Sequence, residues 1–256
     1  MRGLFVTGTD TDVGKTVLSA ALVAAMRAAG EHVRAFKPVV TGLTPPADAA
    51  AAAPAPHRGD DADPSPGPAP VPPWPADHEL LGALAGMEPE AVAPLRFGPA
   101  VSPHLAARLA GVAVEPARLV AAARASALKA QVLIVEGVGG LLVPLAEDYS
   151  VCDLAAELGL PLVLAARPGL GTINHTLLTL QVAREAGLRV AAVVLTPWPS
   201  RPGELALDNR ATIARLGAVE VHTLARVARP DAAEFARVGS ALPWQGWLHT
   251  AASSPG

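Results

Sequence analysis

Five short apolar runs recur along the chain, at residues 4–7 (LFVT), 33–36 (VRAF), 132–135 (VLIV), 162–165 (LVLA) and 190–195 (VAAVVL). They lack the strict apolar–polar alternation of a half-exposed strand, so they predict strands covered on both faces, as in a parallel sheet. Helical signals fill the intervals. An alanine-rich stretch running from Thr16 ends at Gly30; Gly159 and Pro161 close a helix that starts near Val151; Gly187 closes another that starts near Asn174. This alternation predicts an α/β fold with a doubly wound, mostly parallel sheet, its ligands gathered at the carboxyl ends of the strands. The chain shows no internal repeat of the solenoid kind.

Residues 44–75 break the pattern. Ala and Pro dominate there, with Gly67 and a few acids between. Such a segment buries too little apolar side chain to offset the entropy of ordering, and it is predicted to be a flexible surface insertion, with regular structure resuming near Asp77. The first 43 residues are too few for an independent α/β unit, which argues against a linker and for a single domain spanning 1–256.

Composition narrows the class. The net charge of −3 carries no basic excess, which predicts neither nucleic acid nor an anionic membrane as partner. The single cysteine, Cys152, excludes an intrachain disulfide and a cysteine-built zinc site, and its mostly apolar neighbours fit a buried structural thiol. No basic leader precedes the first run, and no uninterrupted apolar stretch reaches the roughly 18 residues of a membrane span, so a cytoplasmic protein is expected.

The first run leads directly into residues 8–16, GTDTDVGKT, and then into a helical stretch. Strand, glycine loop and helix in that order make a phosphate cradle: loop and helix N–H groups converge where the helix dipole favours an anion. Lys15 adds charge, and the Thr16 hydroxyl can bind Mg²⁺. Five residues separate Gly8 from Gly14 where the usual motif has four, and Thr9 takes the first-glycine place, so the loop is a variant. A nucleoside triphosphate is the expected ligand. Lys37 stands where the second strand meets its loop and can neutralise a phosphoryl group or an acidic substrate, or simply be solvated. Glu136 ends the third run ahead of Gly137, Gly139 and Gly140; a carboxylate buried there without a cation is costly, which favours a metal-serving role. Ser102-Pro103-His104 begins a helical stretch, with capping as the simplest role for the serine. Taken alone, His175 reads as a structural histidine. His57, His78, His222 and His249 have no metal-ligand spacing among themselves.

Five segments, GTDTDVGKT at 8–16, KPVVTG at 37–42, SPH at 102–104, EGVGGLLVP at 136–144 and GTINHTLLT at 171–179, resemble in order and spacing those of the dethiobiotin synthetase family, across most of residues 3–210. The resemblance implies a P-loop NTPase fold and an ATP-dependent cyclo-ligase that joins CO₂ to 7,8-diaminononanoate through a carbamate and a carbamic-phosphoric anhydride. By similarity, Lys15 holds the β- and γ-phosphates, with Thr11, Asp12, Val13, Gly14 and Val17 around the nucleotide, and Lys37 flanks the carbamate and the transferred phosphoryl group. Thr16, Glu136 and an aspartate after the second strand bind Mg²⁺. Asp77 has the better spacing ahead of Ser102, while Asp60, Asp61 and Asp63 lie nearer Lys37 in sequence. Gly137, Val138 and Gly139 are implied at the nucleotide, Asn174 and His175 at its base, and Thr41, Gly140 and Leu141 at the diamine. A homodimer is also implied, with residues 141–145 at the subunit contact or in the core, and the helix start near Ser150 receiving the substrate carboxylate. The insertion then borders the site as a candidate lid.

The chain departs from the family in places. Val138 stands where alanine is common, Thr196-Pro197-Trp198-Pro199 replaces an asparagine-bearing segment, and base contacts around 222–230 are hard to place, which leaves the preferred nucleotide open. A nucleotide-switch ATPase acting through a protein partner is the competing reading. Its usual early loop lysine is missing, since Asp10 and Asp12 stand before Lys15. A cobyrinic-acid-type amidoligase is disfavoured because it needs a glutaminase cysteine in a C-terminal domain.

Overall fold

The computed structural model describes residues 1–43 and 74–249. β1 (Gly3–Gly8) opens into α1 (Lys15–Ala28), and β2 (Val33–Phe36) returns the chain to the sheet. A two-residue strand, β3 (Val39–Val40), is followed by α2 (Asp77–Ala85), α3 (Pro89–Val92) and β4 (Leu95–Arg96), which pairs with β3. Next come α4 (Pro103–Leu109), α5 (Pro116–Ala127) and β5 (Val132–Gly140). A small antiparallel pair, β6 (Pro144–Ala146) and β7 (Tyr149–Ser150), leads into α6 (Val151–Leu158). The chain continues through β8 (Leu162–Ala166), α7 (Thr172–Glu185), β9 (Val190–Trp198), α8 (Glu204–Gly217), β10 (Val221–Ala225), α9 (Ala232–Gly239) and α10 (Trp244–His249).

Six strands form one parallel sheet in the order β10-β9-β8-β1-β5-β2. From the neighbouring strands β1 and β8 the connections run toward opposite edges of the sheet, to β2 and to β9, which opens a crevice at their carboxyl ends beside the phosphate loop. Register then aligns the chemistry. Val6 pairs with Glu136, and Phe36 pairs with Val135, which places the following residue, Lys37, alongside Glu136.

Alternate strand residues serve opposite faces. Leu4, Val6, Ile134, Val163 and Val194 pack with Leu18, Leu22 and Met26 of α1, Leu81 of α2 and Phe235 of α9. Phe5, Leu133, Val135 and Leu162 meet Leu119 of α5 and Leu154 of α6, while Leu164, Val193 and Leu195 meet Leu180 of α7 and Ile213 of α8. Each such buried side chain contributes about 1.5–3 kcal/mol, so burial on two faces outweighs local propensity in fixing these strands. α9 lies close against α1: a Cβ on Gly239 would overlap the Ala21 carbonyl.

All five expected strands are present. β5 runs on through its glycines because Gly140 still pairs with Gly8, and β9 extends to Trp198. β10 is an addition whose run, Val221-His222-Thr223-Leu224-Ala225, is partly polar because it forms the sheet edge. Of the expected insertion, residues 44–73, with His57, Asp60, Asp61 and Asp63, lie outside the described residues. Trp74 and Pro75 are placed, the Trp74 ring standing edge-on to Phe235 at 6.0 Å. Among the described residues no helix is long and apolar enough to cross a membrane.

Candidate active site

β1 is buried through Gly8, and the chain then curls back over its own end. Thr9 N–H donates to the Ala165 carbonyl of β8 at 3.0 Å, and Thr11 N–H donates to Asp10 Oδ1 at 2.7 Å. Asp12 and Gly14 both take the left-handed conformation, with φ of 56° and 92°. Glycine is required at 14 on two counts, because a Cβ there would also lie 2.7 Å from Thr196 Cγ2 at the end of β9. No side chain caps the first turn of α1, so its N–H groups remain available to an anion. Lys15 folds over the loop and donates to the Asp10 carbonyl at 2.7 Å. Burial lowers its pKa from the ordinary lysine value, with Glu136 opposing the shift.

Beside the loop, four polar side chains meet. Lys37 Nζ donates to Asp77 Oδ2 at 2.6 Å and to Glu136 Oε1 at 2.5 Å, and the same Glu136 oxygen accepts from Thr16 Oγ1 at 2.9 Å. Lys37 is contributed by the end of β2, Glu136 by β5, Thr16 by the first turn of α1 and Asp77 by the first turn of α2. Glu79 orders that last turn by accepting from the Ala76 N–H at 3.0 Å. Burial opposes the charge on Lys37, yet the two carboxylates outweigh it and hold its pKa above the usual lysine range. For Asp77 burial pushes upward, and Lys37 overrides it, leaving the carboxyl below its ordinary range. Glu136 is fully buried, and its Oε2 has no hydrogen-bond partner among the described residues. An orphaned carboxylate oxygen in the interior is costly, which marks it as waiting for a cation or a donor.

Thr16, Asp77 and Glu136 offer only oxygen donors, the set suited to Mg²⁺. Among the described residues no group of three or more His, Cys, Asp or Glu side chains could hold a metal. Two carboxylates and a hydroxyl match a cation that takes its remaining ligands from phosphates and water. The cluster opens into a cavity of about 730 Å³, within the usual range for ligand pockets. Thr11, Asp12, Gly14, Lys15, Thr16, Lys37, Thr41 and Asp77 line it, with Val17, Val39, Val101, Val138, Gly139 and Val143 forming much of its apolar wall.

Several expected residues stand elsewhere. Asn174 and His175 lie exposed on the first turn of α7 and do not line this cavity. Leu141 is buried in the core with Leu145, and its carbonyl accepts from Cys152 N–H at 2.8 Å, so its side chain is unavailable to a substrate. Gly137 faces Phe5 and Val151, where a Cβ would lie 2.9 Å from Val151 Cγ1; its smallness serves packing. Val13 is likewise a core residue. Gly140 pairs with Gly8 and lies outside the cavity lining. Ser102 holds the N-cap place of α4 without a side-chain capping bond and lines the cavity instead. His222 accepts or donates at 3.1 Å with Glu220 and packs on Trp247. Ser150 does cap α6, accepting from Asp153 N–H at 3.3 Å. Cys152 is buried, and burial raises its thiol pKa, as a structural role requires.

Participants that the sequence does not single out include Trp74, Val143 and Asn209, besides Val39 and Val101 of the cavity wall. Trp74 and Val143 line the cavity, and the buried Asn209 donates through Nδ2 to the Pro168 and Gly169 carbonyls at 3.1 Å each, fixing the loop between β8 and α7. A tryptophan ending an Ala/Pro tract was the available signal for the first; nothing in the sequence marks Asn209.

Comparison with known proteins gives a consistent result. A family model described as an AAA domain matches residues 2–230. The chain is 43% identical over 219 residues to the ATP-dependent dethiobiotin synthetase of Anaeromyxobacter dehalogenans (strain 2CP-1), covering 84% of this chain and 86% of that one. It is 37% identical to the protein of the same name from Mycobacterium sp. (strain KMS), with 97% and 98% coverage, and 34% identical to that of Bacillus subtilis (strain 168), with 86% and 85%. A ParA family ATPase from Chlorobium tepidum TLS superposes with a TM-score of 0.52 over 97% of this chain and 100% of that one, at 11% identity, a likeness of fold alone. With its P-loop α/β fold and relatives of this identity over most of its length, the chain belongs to the dethiobiotin synthetase family of ATP-dependent enzymes.

Proposed function

We propose that the protein closes the ureido ring of dethiobiotin from 7,8-diaminononanoate and CO₂, consuming ATP and releasing ADP and phosphate. The observation that carries this reading is Lys37, held by two carboxylates at the junction of the phosphate loop and a cavity that also contains Thr41. One amine of the diamine takes up CO₂ as a carbamate. A carbamate oxygen attacks the γ-phosphorus and ADP departs, giving a carbamic-phosphoric anhydride; the second amine then attacks the carbonyl carbon, and phosphate leaves as the ring closes. None of these steps requires a protein nucleophile, and none of the cavity-lining residues is a cysteine. What the chain supplies is position and charge.

In this reading Lys15 and the N–H groups of α1 bind the phosphates, with Thr11, Asp12, Gly14 and Val17 shaping the path of the triphosphate. Lys37 neutralises the carbamate oxygen and the phosphoryl group as negative charge passes between them. Thr41 orients the diamine, and Val39, Val101 and Val143 cover its aliphatic chain and keep water from the anhydride. Thr16, Asp77 and Glu136 would hold Mg²⁺, which supplies charge neutralisation on the β- and γ-phosphates when bound. Support for Asp77 over the earlier aspartates is its contact with Lys37 in the cluster. A homodimer in the cytoplasm belongs to the same proposal. Exposed Leu142, adjacent to cavity-lining Val143, is a candidate contact, testable by sedimentation.

The deciding experiment measures phosphate release from Mg-ATP and bicarbonate with and without 7,8-diaminononanoate, with mass detection of the cyclic urea. Diamine-dependent release together with that product is expected. Release indifferent to the diamine would overturn the proposal and point to a switch ATPase.

A further inference from the structure

The arrangement around Lys37 bears on how the site is loaded, given the reading of Thr16, Asp77 and Glu136 as the magnesium ligands. Its ammonium already engages one oxygen of each carboxylate, at 2.6 and 2.5 Å. Glu136 Oε2 stays without a partner among the described residues, but a divalent cation bound there would sit close to the ammonium, whose like charge opposes it. Glu136 Oε1 also accepts from the Thr16 hydroxyl, so the three side chains are tied together around one positive charge. The cluster is reached from solvent on the Asp77 side, whose side chain is 41% exposed, while those of Lys37 and Glu136 are 5% and 0% exposed. We propose that Lys37 acts as an internal counter-cation that holds the metal position in the nucleotide-free enzyme, and that a divalent cation enters only with a triphosphate whose charge draws Lys37 away.

Charge balance supports this exchange. Without Lys37, two carboxylates would share a buried site with no cation, and a divalent ion would bind them readily. With Lys37 in place, an incoming cation meets an ammonium that cannot leave unless another anion accepts it. Lys15 does not share this role in the structure; its Nζ donates to the Asp10 carbonyl on the loop. A triphosphate satisfies both lysines at once. It also supplies the oxygens that two carboxylates and a hydroxyl leave lacking. Metal and nucleotide therefore bind cooperatively, with Lys37 as the coupling element.

The test is Mn²⁺ binding followed by electron paramagnetic resonance, without diamine. In the absence of nucleotide, Lys37→Met should bind Mn²⁺ roughly tenfold or more tighter than the wild type, and a non-hydrolysable triphosphate should shrink that gap to within about threefold. Equal affinities without nucleotide would overturn the exchange while leaving the metal ligands in place. Failure of the wild type to bind Mn²⁺ even with the triphosphate would instead overturn the metal reading itself. Should Lys37→Met fail to fold, the wild type provides the answer. Its three lysines, Lys15, Lys37 and Lys129, give few side-chain ammonium signals after ¹⁵N-lysine labelling. Mn²⁺ alone should leave the Lys37 signal intact, and Mn²⁺ with the triphosphate should broaden it; broadening by Mn²⁺ alone would overturn the proposal.

Discussion

At the ends of β1, β2 and β5, four side chains bury or half-bury their charges and hydroxyls against one another. At the ends of β8 and β9, by contrast, the threonines Thr172, Thr176 and Thr196 are buried but the other polar side chains are exposed or bonded to backbone. Asn174 and His175 face solvent, Asn209 serves two carbonyls, and Arg167 approaches Asp10 only to 3.8 Å at a largely exposed position. The first region concentrates electrostatic energy in a few irreplaceable side chains. The second shapes a surface through its main chain, so its side chains can change with less effect. The difference predicts where substitutions will be felt as chemistry and where as stability.

Lys37→Ala should show the contrast most strongly, lowering kcat by about 10²–10³-fold while ATP binding changes by under about threefold. Steady-state kinetics with a separate nucleotide titration checks this, and equal losses would remove Lys37 from the phosphoryl step. On the other side, Asn209→Ala leaves two carbonyls without their donor and should destabilise the fold by about 1–3 kcal/mol in urea unfolding, with turnover largely kept in the folded fraction. Asp77→Asn should raise the Mg²⁺ concentration for half-maximal rate by roughly tenfold, whereas an Asp60/Asp61 double substitution leaves it unchanged; the reverse pattern would move the metal site. The same variant has a pH signature. Because Lys37 depresses the folded pKa of Asp77 below the ordinary 3.8, the stability it contributes is present above that value and lost as pH falls through the lower folded pKa. Acid unfolding below about pH 4 should therefore be shallower in Asp77→Asn than in the wild type. The smallest effect belongs to Asn174→Ala and His175→Ala, each expected to change the KM for ATP by under about twofold. A larger change would bring α7 into nucleotide binding.

The same contrast explains what could be read in advance. Burying Lys37 just past β2 and Glu136 within β5 requires an unusual pattern, an ionisable residue directly after an apolar run, and that pattern is visible in the chain. The strands β1, β2, β5, β8 and β9 are visible for a related reason, since continuous apolar runs have few other uses. Asp77 stands out only through the spacing to Ser102 that the family resemblance implies; in the structure Glu79 orders its turn and Lys37 bonds its carboxylate. β10 escaped because an edge strand tolerates His222 and Thr223. Leu141 and Leu142 look alike in sequence, yet one is core and the other 69% exposed, a distinction set by the turn between β5 and β6. Asn209 is invisible because its partners are carbonyls, which every residue owns.

The fit of α9 against α1 has a wider meaning. Ala21 and Ala25 look like filler in a monotonous helix, yet they set how near the two helices stand, and Gly239 completes the fit. α9 follows the loop after β10, and α1 carries Lys15 and Thr16, so their spacing ties the far edge of the sheet to the phosphate cradle. The plainest stretch of the chain is thus its calibrated spacer. A larger residue on that alanine face would preserve helix propensity and still shift the reference frame from which the reactive groups are aimed.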